Sequence, residues 1–240
     1  MAIKEKFVGT SGYSYPYWKN RFYPEKLPAV KQLSFYNAVF NTVELNYTFY
    51  RFPTIVNLQK AANQTYDNFR FSVKMHKSIT HTLRMQNAKE KIKEFMDIIT
   101  EGLGDKLGCV LYQLPPSFSY SEERLENILD CVAHNSNNVI EFRHVSWWQE
   151  KVYDAFNKAK LTFCAVSYPG LPDENIVTSD IFYKRMHGIP ELFKSPYDEP
   201  TLIKLAKDIP EDITSFVYFN NTMYEAGYSN AAFLKTLLND

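Results

Sequence analysis

Eight short runs of apolar or alternating residues recur through this 240-residue chain. They fall about thirty residues apart, and helical periodicity fills most of the gaps between them. The runs cover 7–12, 42–49, 69–76, 107–114, 139–144, 161–167, 181–187 and 214–220. Amphipathic helical spacing appears in 28–40, 53–64, 88–103, 121–132 and 146–159, and in a last segment reaching 238. Strand followed by helix is the repeat of parallel α/β proteins. Eight copies in this length fit a closed TIM-like (β/α)8 barrel of parallel strands better than an open doubly wound sheet. The sixth connection, 168–180, holds Pro169, Gly170 and Pro172 with weak helical signal, so its helix is expected to be short or missing. No linker or shift in composition divides the chain, which reads as one barrel domain over 1–240.

Charge and cysteine content narrow the function classes. The 27 basic and 27 acidic side chains cancel, which removes the global field that strong nucleic-acid binders carry. No apolar run is long enough to span a bilayer, and the start Met1-Ala2-Ile3-Lys4 has no signal-peptide core, so a cytoplasmic location is expected. Cys109, Cys131 and Cys164 are odd in number and scattered, a pattern of small buried hydrophobes and not of a disulfide or thiolate zinc framework.

The stretch Thr42 to Tyr50 alternates without interruption, Glu44 and Asn46 on one face and Val43, Leu45 and Tyr47 on the other. Strands of a parallel barrel are ordinarily apolar on both faces, so ionisable side chains there are costly unless paired or wet. Similar intrusions recur at the C-terminal ends of the other runs. They give Ser11, Glu44, Asn46, Lys74, Gln113, Glu141, Arg143, Arg185, His187, Asn220 and Asn221. Barrel sites occupy that face, so together these residues predict a ligand site. The plain alternative is a structural ion-pair network across the barrel.

Nine ordered segments resemble the DUF72 (YecE-like) family. They are Gly9-Thr10-Ser11-Gly12-Tyr13, Phe22-Tyr23-Pro24, Val43 to Tyr50, Phe71-Ser72-Val73-Lys74, Ile79-Thr80-His81, Gln113-Leu114-Pro115-Pro116, Glu141-Phe142-Arg143-His144, Arg185-Met186-His187-Gly188 and Tyr218-Phe219-Asn220-Asn221. The resemblance implies a TIM-barrel-like fold and a site at the strand ends, with Tyr13 beside it, and no reaction, because the family's activity is not established. Related sequences often carry Asp near the end of strand six, where this chain has Ser167. That departure puts in doubt any family mechanism needing the carboxylate.

Three chemistries suit such a set, and an enzyme is the reading favoured. In the first, Glu44 and Glu141 act as acid and base with Lys74, while Arg143 and Arg185 hold a small substrate bearing phosphate or carboxylate. Ser11, Tyr13, Asn46, Gln113, His187, Asn220 and Asn221 would line that site. In the second, Glu44, Glu141 and His187 bind a divalent metal ion, as in a metal-assisted hydrolase. No HExxH motif is present and Lys74 and Arg143 would repel a bare cation, so no cofactor is expected. The third is a non-catalytic binding module or a nucleic-acid-processing barrel, using the basic stretch 70–93 and the aromatic loop 13–24. With no net charge, a solvated helix face and rim packing are the favoured explanation of those two features, and His81 ranks behind the strand-end set as a loop histidine. Trp147 and Trp148 are expected to pack.

Overall fold

The computed structural model describes residues 4–239. Eight strands lie side by side and all pair in parallel: β1 (Lys6–Thr10), β2 (Thr42–Leu45), β3 (Arg70–Lys74), β4 (Leu107–Gln113), β5 (Asn138–Glu141), β6 (Thr162–Ser167), β7 (Ile181–Met186) and β8 (Thr214–Phe219). Neighbours in sequence are neighbours in space, and β1 pairs with β8. The remaining seam joins β1 to β2 through a Ser11–Glu44 bridge and the Gly12 N–H, which donates to the Glu44 carbonyl at 2.8 Å. Asn41 ties the lower end, accepting from Val8 N at 3.2 Å and donating to Lys6 O at 2.8 Å. The result is a TIM-like barrel.

Seven helices cover it: α1 (Gln32–Val39), α2 (Ile55–Ala62), α3 (Lys89–Leu103), α4 (Glu122–Cys131), α5 (Glu150–Ala159), α6 (Glu199–Asp208) and α7 (Ala226–Asn239). Hydroxyl and carboxylate caps start three of them. Thr54, Ser121 and Asp198 each accept from a backbone N–H three residues on. No helix links β6 to β7. There the outward-facing Lys184 of β7 is buried, and its ammonium donates to Asp173 Oδ1 at 2.6 Å and Asn175 Oδ1 at 2.7 Å. The loop 168–180 therefore lies on the barrel wall, held by polar contacts where the other connections use an apolar helix face.

Two apolar zones result. The larger fills the space between strands and helices. The smaller lies inside the ring and includes Phe7, Cys109, Leu111, Val139, Cys164, Val166, Tyr183 and Tyr218. Cys109, Cys131 and Cys164 are buried and unpaired. In the middle of the ring the Tyr218 hydroxyl donates to Ser72 Oγ at 2.8 Å and meets the Thr42 hydroxyl.

Two local readings of the sequence are corrected. The alternating run 42–49 is a strand only to Leu45. Asn46 turns helical, and Tyr47–Phe49 form a 3-10 turn closed by Phe49 N to Asn46 O at 3.2 Å and Tyr50 N to Tyr47 O at 3.0 Å. The strand's last rung with β3 is Leu45 against Val73. Beyond it the Thr48 hydroxyl folds back onto the Leu45 carbonyl at 2.9 Å and the Lys74 carbonyl at 2.6 Å, meeting backbone acceptors with a side chain in place of a further rung. Tyr47 consequently leaves the apolar face and stands 46% exposed. The helix expected over 146–159 begins at Glu150, after a separate 3-10 turn over Val145–Trp147. The polar loop after β3 holds a π-helical turn, Ser78–Thr82, followed by left-handed Arg84, Met85 and Asn87.

Candidate active site at the strand C-termini

Each of β2, β5 and β7 carries an ionisable residue at its last or next-to-last position, in phase with its inward-facing neighbours, so alternation brings Glu44, Glu141 and Arg185 to one level inside the ring. All three are buried. The Glu44 carboxylate accepts four hydrogen bonds. Ser11 Oγ and Arg185 Nη2 donate to Oε1 at 2.7 and 2.6 Å, while Tyr183 OH and Arg185 Nε donate to Oε2 at 2.7 and 2.9 Å. Every lone pair of that carboxylate is in use.

Arg185 also reaches the second carboxylate, donating from Nη1 to Glu141 Oε2 at 2.7 Å. Arg143 Nε closes on Glu141 Oε1 as an ion pair, without the direction of a hydrogen bond. Burial alone would raise the Glu141 carboxyl, but the Arg143 and Arg185 guanidiniums outweigh it and hold it well below the usual carboxylate range. Arg185 shows the converse: burial disfavours its charge, and Glu141 and Glu44 more than compensate.

His187 is buried at the head of β7. Burial, Arg143 and Arg185 push its imidazole well below the ordinary value, so it is neutral. Its Nε2 faces Arg143 Nη2 at 3.0 Å and Arg185 Nη1 at 3.4 Å, and guanidiniums only donate. Nε2 is therefore the acceptor and Nδ1 carries the proton. The Asn220 carboxamide lies 2.9 Å from Nδ1 and meets that proton with its oxygen when turned end for end.

The outer part of the site is cationic. Burial, followed by the Arg185 charge, lowers the Lys74 amine to about 8. Its Nζ lies 4.3 Å over the Phe49 ring and has no hydrogen-bond or ion-pair partner among the described residues. Arg143 stacks on Tyr168 at 4.1 Å, and no described residue meets its Nη1. His81 packs edge-on against Phe49, and its imidazole is lowered to about 4 by burial, Lys74, Arg84 and Arg143. With both histidines neutral, Lys74, Arg143 and Arg185 face only Glu44 and Glu141, which leaves one positive charge in excess.

Among the predicted site residues, Ser11, Glu44, Glu141, Arg143, Arg185, His187 and Asn220 form this contiguous network, with Lys74 at its edge. Tyr13 and Asn46 line an adjoining cavity of about 490 Å³ over the β1–β2 seam, and Asn46 Oδ1 is buried there with no hydrogen-bond partner among the described residues. Gln113 stands opposite Glu141 in register, with its amide donating to Leu114 O at 2.7 Å. Asn221 turns away, donating to Ser195 O and Asn230 Oδ1, both at 3.0 Å, and so ties the loop after β7. A larger hollow of about 790 Å³ at the opposite end of the barrel is lined by loop residues such as His134 and Asp180 and gathers no buried ionisable cluster.

The comparisons with known proteins agree with this fold. Residues 7–240 match the family described as "Protein of unknown function DUF72". The chain belongs to the DUF72 family. A DUF72 family protein from Thermotoga maritima is 31% identical, with a TM-score of 0.89 over 98% of this chain and 100% of that one. A second DUF72 structure, from Enterococcus faecalis, is 19% identical with a TM-score of 0.81 over 99% of this chain and 98% of that one, and shows the shared fold. The UPF0759 protein YunF of Bacillus subtilis is 28% identical over 64% of this chain and 57% of its own length. For the UPF0759 protein YecE of Escherichia coli K12 the figures are 28%, 58% and 48%. The chain thus spans about half the length of the curated relatives it matches.

In this DUF72 chain, sequence reasoning missed Tyr183 and Tyr168. Tyr183 was legible, being two residues before Arg185 on the same strand face. Tyr168 lies past the end of β6 and carried no signal. Ser167 is buried at that strand end and accepts from His187 N through its backbone oxygen at 3.0 Å, so the end of β6 adds no charge to the site. Within the aromatic loop, Trp18 and Tyr23 are buried, and Trp18 donates to Thr222 O at 3.2 Å. Trp147 packs flat on Phe142 with ring centres 4.0 Å apart. Lys89 and Lys93 of the basic stretch pair with Asp130 and Asp97 at the surface. No helix among the described residues is long and apolar enough to cross a membrane.

Proposed function

We propose that this protein is an enzyme acting on a small substrate that bears a carboxylate or phosphate, bound at the C-terminal ends of the strands. The observation that carries the reading is the pair of unsatisfied cations at the barrel mouth, Lys74 Nζ and Arg143 Nη1, beside a core whose other charges are already matched. Fixed donors in a partly desolvated site favour an anion strongly. Acid/base work falls to Lys74, because its amine is lowered to about 8 while Glu44 has no free lone pair and Glu141 stays ionised. The two carboxylates serve instead to orient Arg185 and Arg143. A divalent cation between Glu44, Glu141 and His187 is disfavoured, since the Arg185 guanidinium fills the space between the carboxylates.

The test is a thermal-shift titration with phosphate, sulfate and short carboxylates, with and without magnesium, manganese or zinc. An anion at ten times its Kd adds about 1.4 kcal/mol, which raises the midpoint by about 3–5 °C for a chain of this size. Arg143→Gln and Lys74→Met should each abolish the rise. If no anion stabilises the protein, or the rise survives both substitutions, the reading fails.

A further inference from the structure

We propose that Lys74 forms a covalent imine with the carbonyl carbon of a small oxo acid whose carboxylate is held by Arg143. This rests on the anionic-substrate reading and names its class.

The chain contains its own comparison for a lysine placed only for its charge. Lys184 is buried on the outer face of β7 and its ammonium is tied to Asp173 and Asn175. Lys74 sits at the end of β3 with no carboxylate on its Nζ among the described residues, only the face of Phe49 beneath it. Burial is the main cause of its lowered amine; Arg185 and Arg143 also disfavour its charged form, and Glu141 and Glu44 only partly offset them. With the amine at about 8, about a tenth of it is neutral at pH 7, roughly 300 times the fraction of an ordinary lysine. A neutral, desolvated amine beside other cations is the arrangement that makes lysine a nucleophile towards carbonyl carbon.

Arg143 supplies the second half. Its Nε is fixed by Glu141, its Nη2 by His187 and its plane by Tyr168, which leaves Nη1 as a rigid outward donor. One fixed cation and one neutral amine match a carboxylate next to a carbonyl. A phosphate dianion would draw Lys74 back to the ammonium and waste its desolvation. In the step itself the amine lone pair adds to the carbonyl carbon, and both amine hydrogens leave with the carbonyl oxygen as water. The product is a carbon–nitrogen double bond, with no change of oxidation state.

The experiment treats the full chain with glyoxylate or pyruvate and sodium borohydride and maps the reduced adduct by mass spectrometry. The expected result is one adduct per chain on Lys74, formed at least tenfold faster than on the exposed Lys91, with a pH midpoint near 8. Arg143→Gln should raise the half-saturating pyruvate concentration at least tenfold, and Lys74→Arg should remove the fast adduct while circular dichroism stays native. The proposal is overturned if Lys74 in the folded wild-type protein labels no faster than Lys91, a result that needs no variant to fold. If phosphate stabilises the protein but Lys74 stays unlabelled, the imine falls and the anion site stands. If neither occurs, both fall.

Discussion

Arg185 grips Glu44 through two parallel hydrogen bonds, Nε to Oε2 at 2.9 Å and Nη2 to Oε1 at 2.6 Å, across the full width of the barrel interior. Charge-assisted forks of this kind combine strength with fixed geometry. Removing the cation leaves Glu44 and Glu141 as two buried carboxylates facing each other. Arg185→Met is expected to cost about 3–5 kcal/mol, the penalty of an uncompensated buried charge. Lysine offers no fork, so Arg185→Lys should recover less than half of the loss. Urea unfolding of the two variants checks this, and equal stability of Arg185→Met and wild type would show that the network contributes nothing.

Acid should weaken the fold in two stages. His187 is held neutral in the fold, well below its ordinary value of 6.5, and His81 is lowered to about 4. The unfolded chain takes up these protons first, so stability falls as pH drops below 6.5. Glu141 adds to the loss below pH 4.5, where the unfolded carboxyl protonates while the folded one stays ionised. Each unmatched proton steepens the slope by about 1.4 kcal/mol per pH unit. Chemical denaturation between pH 7 and pH 5 should give a slope that His187→Gln reduces by close to one proton. An unchanged slope would mean that His187 charges as readily inside the barrel as outside.

The wall between β6 and β7 depends on Lys184. Its partner Asp173 is 48% exposed on its side chain, so the ion pair is partly screened and Asp173→Ala should cost less than about 1 kcal/mol. Lys184→Ala removes the anchor for Asn175 as well, and about 1–2 kcal/mol is expected. Hydrogen exchange should then quicken over 168–180 and nowhere else. Uniform exchange along the chain would place the effect elsewhere.

Gly9 closes the barrel seam. A Cβ at this position would lie 2.1 Å from the Thr42 carbonyl oxygen and 2.9 Å from the Tyr36 hydroxyl. Both belong to structure that cannot retreat, since the Tyr36 hydroxyl also bonds Thr10 N at 2.8 Å and Thr42 O at 3.1 Å. Gly9→Ala should therefore cost about 4 kcal/mol, at the severe end for a single substitution. Calorimetry gives the answer directly, and a midpoint within 2 °C of wild type, less than about 1 kcal/mol, would show that the seam can open.

Period and rhythm made the architecture readable from the amino-acid sequence, because alternation along a strand is a local consequence of backbone stereochemistry. The missing sixth helix and the inward phase of Glu44, Glu141 and Arg185 were legible for that reason. The partners of those charges were not. Glu44 is satisfied by residues 33, 139 and 141 positions away, and only ring closure determines that Ser11, Tyr183 and Arg185 arrive together. The same holds for where β2 stops, which depends on Thr48 reaching the Lys74 carbonyl of β3, and for Asn221, which turns from the site although its neighbour Asn220 stays in it. Tertiary structure also decided that Lys74 stands unpaired while Lys184 is paired, since a side chain's charge environment is set by what other strands bring within a few ångströms.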